Sequence, residues 1–262
     1  MKTLAAASIG QYEKAVLSLG DYNRAVELGL GACFREGDLA STLIDPSDDA
    51  RGPIAAIIFG SDQGLVGQFN EVVADHAVNT LSSMSGAVDV WAVGARLNER
   101  CADSGLSVEN VYTLPSSVQA ITQLVDQIQI GVEKRHYGRV FVFHNRPMKG
   151  SLYEPVDQRL LPLDSQWIRD LAKVAWPTKA FPEIMGSRIA TVSALVREYL
   201  FISLFRACAE SLASENSSRL AAMERADTNI ADLLETLKVK ANRLRQSLID
   251  EELFDVISGN LL

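Results

Sequence analysis

No glycine or proline occurs between Ser187 and Ser258, and Gly186 and Gly259 flank this stretch. The stretch is rich in Ala, Leu, Glu and Arg, which favour helix, so the sequence predicts one helix over 187–259. At 1.5 Å per residue this helix is roughly 105 Å long, whereas helices in globular proteins average about three turns. A single compact core cannot bury such a helix, so much of it must contact a second helix, other subunits or water.

Apolar residues recur along this predicted helix at spacings of three and four, as in the seam of a coiled coil. The seam starts with Val192, Leu195, Tyr199 and Ile202, and it continues with Leu220, Met223, Ala226, Ile230, Leu233, Leu237, Ala241, Leu244 and Leu248. The opposite face carries charges of both signs. A stripe of this kind is far more often a packing face than a catalytic site.

The N-terminal segment shows the same spacing, and residues 1–36 are predicted to form a coiled-coil helix. Its seam consists of Ile9, Tyr12, Val16, Leu19, Asn23, Val26, Leu30 and Cys33. Four glycines interrupt this helix, each costing about 1 kcal/mol relative to alanine, so the helix needs a partner. The sequence leaves open whether that partner is the last helix, in an antiparallel coiled coil, or the central domain. In the antiparallel arrangement residue 1 lies near residue 222, and residues 223–258 have no partner in the same chain.

The middle of the chain alternates short apolar runs with amphipathic stretches, which is typical of an α/β domain. Strands are predicted at 53–59, 88–93, 108–113, 139–144 and 156–163, and helices at 68–84, 95–103 and 116–135. We therefore expect residues 53–164 to form a Rossmann-like head with a mostly parallel sheet. Residues 37–52 are predicted to be a loop, and the proline-containing segment 164–186 a connector.

Bulk composition excludes several classes of protein. The net charge of −8 and the pI near 5.0 argue against a general nucleic-acid binder. The three cysteines are far apart without Cys-x-x-Cys spacing, which favours reduced thiols in a cytoplasmic protein over a zinc site. The apolar runs are too short to cross a bilayer.

The sequence gives little evidence for a catalytic site. The loop Ser61–Asn70 follows a predicted strand and contains two glycines, but it has neither dinucleotide-binding nor P-loop spacing, so a tight turn explains it better. His76, His136 and His144 have no metal-like or triad-like neighbours in the sequence. We predict no catalytic residue, no metal and no cofactor.

Three motifs together resemble the gamma subunit of F-type ATP synthases. LASENSSRLAAMERADTN (212–229) is similar to the signature helix of that family, RQSLIDEELFDVISG (245–259) to its closing segment, and SDQGLVGQFN (61–70) to its Asp-Arg-Gly-Leu-Cys-Gly loop. The start, MKTLAAAS, also resembles the family's Met-Lys-Met-Val-Ala-Ala-Ser. These matches span the whole chain in order.

This resemblance implies a central rotor shaft that couples proton or sodium flow through a membrane ring to ATP synthesis or hydrolysis on beta subunits. The expected partners are the ring of alpha and beta subunits, the epsilon subunit and the c ring. The expected location is the cytoplasmic face of the inner membrane, where the chain is peripheral and not itself catalytic. The residues expected to contact other subunits are Arg219, Met223, Asn229, Arg245, Gln246 and Glu252.

The chain also departs from the family pattern. Gln63 and Val66 replace the loop's arginine and cysteine, and Asp250 replaces a usual threonine. The family usually has about two dozen residues before its Met-Lys-Met-Val-Ala-Ala-Ser, so either the start lies upstream or the tip is a single helix. VREYLFISLFRACAESLASEN (196–216) looks closest to the N-type bacterial branch. The alternatives are a coiled-coil scaffold with an α/β head outside any motor and an enzyme that binds nucleotide at residues 61–70.

Overall fold

The computed structural model describes residues 2–35, 52–148, 151–180, 182–184 and 186–259. Met1, Glu36 and most of the predicted loop 37–52 lie outside these residues. The chain divides into two compact units, Met1–Arg219 and Leu220–Leu262. The first unit contains the sheet, and the second consists of the later part of the last helix.

Five strands form one mixed sheet in the order β3-β2-β1-β4-β5. They are β1 (Ile54–Phe59), β2 (Val88–Val93), β3 (Val108–Tyr112), β4 (Arg139–Met148) and β5 (Ser151–Leu161). Strands β1 to β4 pair in parallel, and β5 pairs antiparallel with β4. Every residue of β1 is buried, which accounts for its continuous apolar run at the centre of a sheet covered on both faces. The predicted mostly parallel sheet is confirmed.

Six helices lie in the described residues. They are α1 (Lys2–Arg35), α2 (Phe69–Ser82), α3 (Ala95–Asp103), α4 (Val118–Arg135), α5 (Ser165–Lys173) and α6 (Arg188–Gly259). One face of the sheet packs against α2 and α3, and the other against α4 and the middle of α6. The helix predicted over 187–259 corresponds to α6, which begins one residue later than expected.

Helix α5 shows that the prediction of a connector over 164–186 was wrong for its first half. The Asp164 carboxylate accepts a hydrogen bond from the backbone N–H of Gln166 at 2.9 Å and caps this helix. Ile168 and Leu171, one turn apart, are buried against α1 and α6. Two apolar residues one turn apart are a short helical pattern, and the prolines later in the segment, Pro177 and Pro182, favoured a connector instead.

Helices α1 and α6 pack antiparallel within the first unit. Tyr12 joins the cluster that contains Cys208, the Tyr22 hydroxyl donates to the Glu198 carboxylate at 2.6 Å, and Gly29 faces Leu195. Every residue of the predicted α1 seam is buried or half-buried. The antiparallel coiled coil is confirmed, and α1 additionally packs on α5 through the cluster formed by Val26, Leu30, Cys33 and Phe34. The predicted neighbour of residue 1 cannot be compared, because Met1 lies outside the described residues.

Gly31 has a specific packing role in α1. A Cβ atom at this position would lie 2.5 Å from the carbonyl oxygen of Leu171 in α5. At Gly10 and Gly20, by contrast, a Cβ would meet no other atom within 4 Å. Close approach of α1 and α5 therefore requires glycine at residue 31 but not at the other two positions.

Candidate subunit interface

The second unit carries an exposed apolar face on α6. It consists of Ile230, Leu233, Leu234, Leu237, Leu244 and Leu248, whose exposed fractions lie between 51% and 67%. With 3.6 residues per turn these side chains fall in one stripe about 100° wide. A contiguous apolar stripe of this kind marks a surface that binds another protein. It is the strongest candidate functional surface in the described part of the chain.

The environment of α6 changes along its length. In the first unit, residues 202–214 are buried except for Arg206, because they pack between the sheet and α1. From Glu224 to Phe254 every residue is exposed. The apolar periodicity nevertheless continues through both regions, so the second unit retains a packing face with no partner in the described residues.

The six predicted contact residues occupy two different environments. Arg219 lies in the first unit, where its guanidinium pairs with the Glu215 carboxylate at 2.5 Å and both side chains are mostly buried. Met223 is half-buried. The other four, Asn229, Arg245, Gln246 and Glu252, are exposed. By helical phase, Arg245 and Glu252 flank the exposed apolar face, whereas Gln246 lies on the far side.

The glycine-containing loop after β1 uses its polar groups within the protein. The backbone N–H of Ser61 donates to Asn70 Oδ1 at 2.9 Å. The Asp62 carboxylate accepts from the backbone N–H groups of Ala95 at 2.8 Å and Leu114 at 2.9 Å. Asp62 thus ties the loop to the start of α3 and to the segment after β3, and Ser61 ties it to the first turn of α2. These contacts favour the tight-turn interpretation over nucleotide binding.

The same loop is attached to α6. The Ser218 hydroxyl donates to the carbonyl oxygen of Val66 at 2.6 Å, and both residues are buried. Leu65 and Gly67 adopt positive φ angles of 62° and 60°, which bring this carbonyl toward the helix. The loop therefore serves as one attachment between the head and α6.

A second attachment is a buried polar cluster, here called the Glu210 network. Glu210 of α6 accepts hydrogen bonds from His144 Nε2 at 2.9 Å, Arg146 Nε at 3.2 Å and Arg206 Nε at 2.7 Å. His144 is 2% exposed and Glu210 is 6% exposed. No local sequence pattern indicates this pairing, because His144 and Glu210 are 66 residues apart. His144 is therefore a core histidine with a carboxylate partner.

Charge in the Glu210 network follows from burial and hydrogen bonding. Burial alone would raise the pKa of Glu210, but the hydrogen bonds from His144 and Arg206 outweigh it and lower this pKa to about 2. Burial lowers the pKa of His144, and the hydrogen bond to Glu210 opposes this only in part. The imidazole is thus neutral at neutral pH and donates from Nε2, which agrees with its buried Nδ1 having no hydrogen-bond partner among the described residues.

The cysteines offer no reactive site. Cys33, Cys101 and Cys208 are free and buried. Burial raises the pKa of each thiol, in Cys101 to about 11, so the nucleophilic thiolate is scarce. No cluster of His, Cys, Asp and Glu suited to a metal ion occurs among the described residues. None of their helices combines the length and apolar character needed to cross a membrane.

Comparison with known proteins gives a consistent result along the chain. The family model described as ATP synthase matches residues 1–260. The ATP synthase gamma chain of Wolbachia from Brugia malayi is 30% identical over 77% of this chain and 71% of its own length. That of Synechocystis is 27% identical over 99% of this chain and 91% of its own.

Two solved structures share the fold. A chain of the central stalk and c ring of the Tetrahymena thermophila mitochondrial ATP synthase aligns with a TM-score of 0.60 at 18% identity, covering 87% of this chain and 97% of its own. A chain of the Euglena gracilis mitochondrial ATP synthase, in its third rotational state, aligns with a TM-score of 0.59 at 14% identity. That alignment covers 97% of this chain and 93% of the Euglena chain.

Proposed function

This chain belongs to the ATP synthase gamma-chain family, and we propose that it is the rotating central shaft of an F-type ATP synthase. In this role residues 1–36 and 187–259 form the shaft and residues 53–164 the head. The chain itself catalyses no reaction. It couples proton or sodium flow through a c ring to ATP synthesis or hydrolysis on beta subunits, at the cytoplasmic face of the inner membrane.

The exposed apolar face is the observation that carries this proposal. Burying a leucine side chain contributes roughly 1.5–3 kcal/mol, so enclosing six half-exposed side chains supplies on the order of 5 kcal/mol before the cost of association. A ring of alpha and beta subunits around the second unit would provide that enclosure. The epsilon subunit and the c ring are the proposed partners of the head.

The contact residues have a proposed role in this enclosure. Arg245 and Glu252 flank the exposed apolar face, where polar contacts with the surrounding ring can differ from one rotary position to the next. Arg219, Met223, Asn229 and Gln246 are proposed as further contacts. A shaft that turns needs contacts that form and break easily, and exposed charged pairs, worth at most about 1 kcal/mol, meet that requirement.

Copurification of the full chain with coexpressed alpha and beta subunits tests the proposal. A triple variant, Leu233→Gln, Leu237→Gln and Leu244→Gln, removes half of the exposed apolar face without introducing a helix breaker. We expect it to recover much less of the alpha and beta subunits than the wild type. The matched control, Glu235→Gln, Lys238→Gln and Lys240→Gln, changes three exposed charged residues of the same segment and should retain normal recovery.

Two results would contradict the proposal. A folded wild-type chain that recovers neither alpha nor beta subunits cannot be their shaft. If it recovers both subunits but the complex shows no ATP-driven ion transport, a scaffold outside the motor is the better description.

We also propose that the chain belongs to the N-type branch of the family, because the sequence of residues 196–216 resembles that branch. In a phylogeny of gamma-chain sequences it should then group with N-type members. Placement among the ordinary bacterial chains would refute this assignment.

A further inference from the structure

The attachment of α6 to the head combines a broad apolar contact with a few directional hydrogen bonds. The apolar part includes Leu204, Cys208 and Leu212, which pack against the sheet and α4. Hydrophobic contact is non-directional, so it holds α6 on the sheet but resists small rotations about the helix axis only weakly. Hydrogen bonds require defined distances and angles, so they resist such rotation.

The Glu210 network supplies these directional bonds at one point of α6. Glu210 Oε2 accepts from His144 and Arg146, both on β4, while Oε1 accepts from Arg206, one turn earlier on α6. The bond from Arg206 orients the Glu210 carboxylate on α6, and the bonds from His144 and Arg146 connect this carboxylate to β4. Because Glu210 and His144 are buried, water cannot easily replace these bonds.

Stability alone is a poor reason for such a cluster. Replacing buried ion pairs by apolar residues of similar size is often neutral or stabilising, so a buried ionic network is weak evidence for a role in stability. The cluster that packs around this part of α6 includes the apolar sheet residues Val140, Val142 and Leu160, so an apolar side chain at residue 210 would suit it. The network therefore calls for a role that depends on orientation.

We propose that Glu210 is a positioning residue for torque transfer, which holds α6 at a fixed rotation on β4 so that the head and the last helix turn together. Resting on the proposed function, this inference names the residues through which the head passes torque to α6. His144 acts as a neutral hydrogen-bond donor in this network. The Ser218–Val66 hydrogen bond, two turns further along α6, is a second attachment that limits the same rotation.

The test uses the assembled complex in sealed vesicles. ATP hydrolysis is measured beside ATP-driven charge uptake, the latter with a potential-sensitive dye that responds to protons and sodium ions alike. The ratio of charge uptake to hydrolysis reports coupling. We expect Glu210→Leu to lower this ratio roughly threefold or more, because the directional bonds to β4 are lost, while Glu210→Gln, which keeps an acceptor, lowers it less.

A pair of variants at His144 separates positioning from general folding. His144→Gln retains an N–H donor and should keep the wild-type ratio of charge uptake to hydrolysis. His144→Leu should lower this ratio, as Glu210→Leu does. The control Glu99→Gln removes an exposed ion pair to Arg96 within α3 and should leave the ratio unchanged. If Glu210→Leu does not assemble, Glu210→Gln and the His144 pair decide the question.

The outcomes distinguish this inference from the proposed function. A wild-type complex without ATP-driven charge uptake would overturn both. A wild-type complex that couples, together with Glu210 and His144→Leu variants that couple equally well, would overturn the positioning role alone. That role also fails if His144→Gln and His144→Leu lose assembly and coupling in the same proportion.

Discussion

Replacing Gly31 by alanine tests the close packing of α1 against α5. The new Cβ would lie 2.5 Å from the Leu171 carbonyl oxygen and 3.1 Å from its carbon. A backbone carbonyl of α5 cannot move aside like a flexible side chain, and this segment is also bound to α1 by a hydrogen bond from Arg35 Nε to the Ala172 carbonyl at 2.8 Å. Overpacking of this kind costs about 1–3 kcal/mol, and a backbone clash belongs at the upper end.

The helix propensity of alanine works in the opposite direction. Alanine gains about 1 kcal/mol over glycine in a helix interior, so Gly31→Ala should lower the free energy of unfolding by about 2 kcal/mol net. Gly20→Ala is the matched control, since its Cβ meets no atom within 4 Å and it should gain the full increment of about 1 kcal/mol. The two variants should thus differ by about 3 kcal/mol although they make the same chemical change in one helix.

Urea unfolding of the full chain, followed by tryptophan fluorescence, measures this difference. Trp167 lies on α5 and its ring packs on Tyr199 with centroids 4.8 Å apart, so its emission responds to separation of α5 from α6. With a slope on the order of 3 kcal/mol per molar urea, the midpoints should differ by about 1 M. Equal midpoints for Gly31→Ala and Gly20→Ala would refute the close approach of α1 and α5.

Three further predictions concern α6 and the Glu210 network. Changing Arg245 or Gln246 to alanine should reduce rotation-coupled ATP turnover of the complex and leave assembly largely intact; equal loss of both would mark these residues as structural. Leu237→Pro should break α6 at a cost of about 3 kcal/mol or more and uncouple ATP hydrolysis from ion transport, whereas Leu237→Ala should not break the helix. Because the pKa of His144 is lowered in the folded chain, the unfolded chain takes up the proton first below about pH 6.5, and the wild type loses stability there. His144→Gln lacks this loss, so between pH 7.5 and pH 5.0 its free energy of unfolding, measured with urea, should rise relative to that of the wild type by up to about 2 kcal/mol; a pH-independent difference would contradict the neutral histidine.

Periodicity made much of this fold predictable. The run Ile54–Phe59 is apolar at every position, so it could be placed at the centre of a covered sheet, and the seam from Ile9 to Cys33 identified the buried side of α1. Helix α5 was missed because two buried residues one turn apart are a short signal. The first residues of β5, from Ser151 onward, were missed. This strand lies at the edge of the sheet, and residues 152–156 are all half-buried or exposed, so buried and exposed positions do not alternate there.

The candidate sites divide in the same way. Five of the six residues of the exposed apolar face were found in the sequence because they repeat with the helical period; Leu234 was not among them. The Glu210 network was not, because its members come from β4 and α6, and pairing between distant segments leaves no local pattern. Sequence likewise identified Arg219 through a family motif, but only the structure shows that Glu215 pairs with it.

Helix α6 departs from the usual distribution of residues in both units. In the first unit its buried residues include Glu210 and Ser218, which bond to the head and are 6% and 2% exposed. In the second unit, by contrast, Leu233, Leu237 and Leu244 are more than half exposed. Burying polar groups is costly unless they are hydrogen-bonded, and exposing a leucine stripe forgoes much of its hydrophobic stabilisation. A helix selected for the stability of the isolated chain would place these residue types the other way round. The observed order follows if the buried polar residues define how α6 is held on the head, while the exposed leucines are stabilised only after other subunits enclose them.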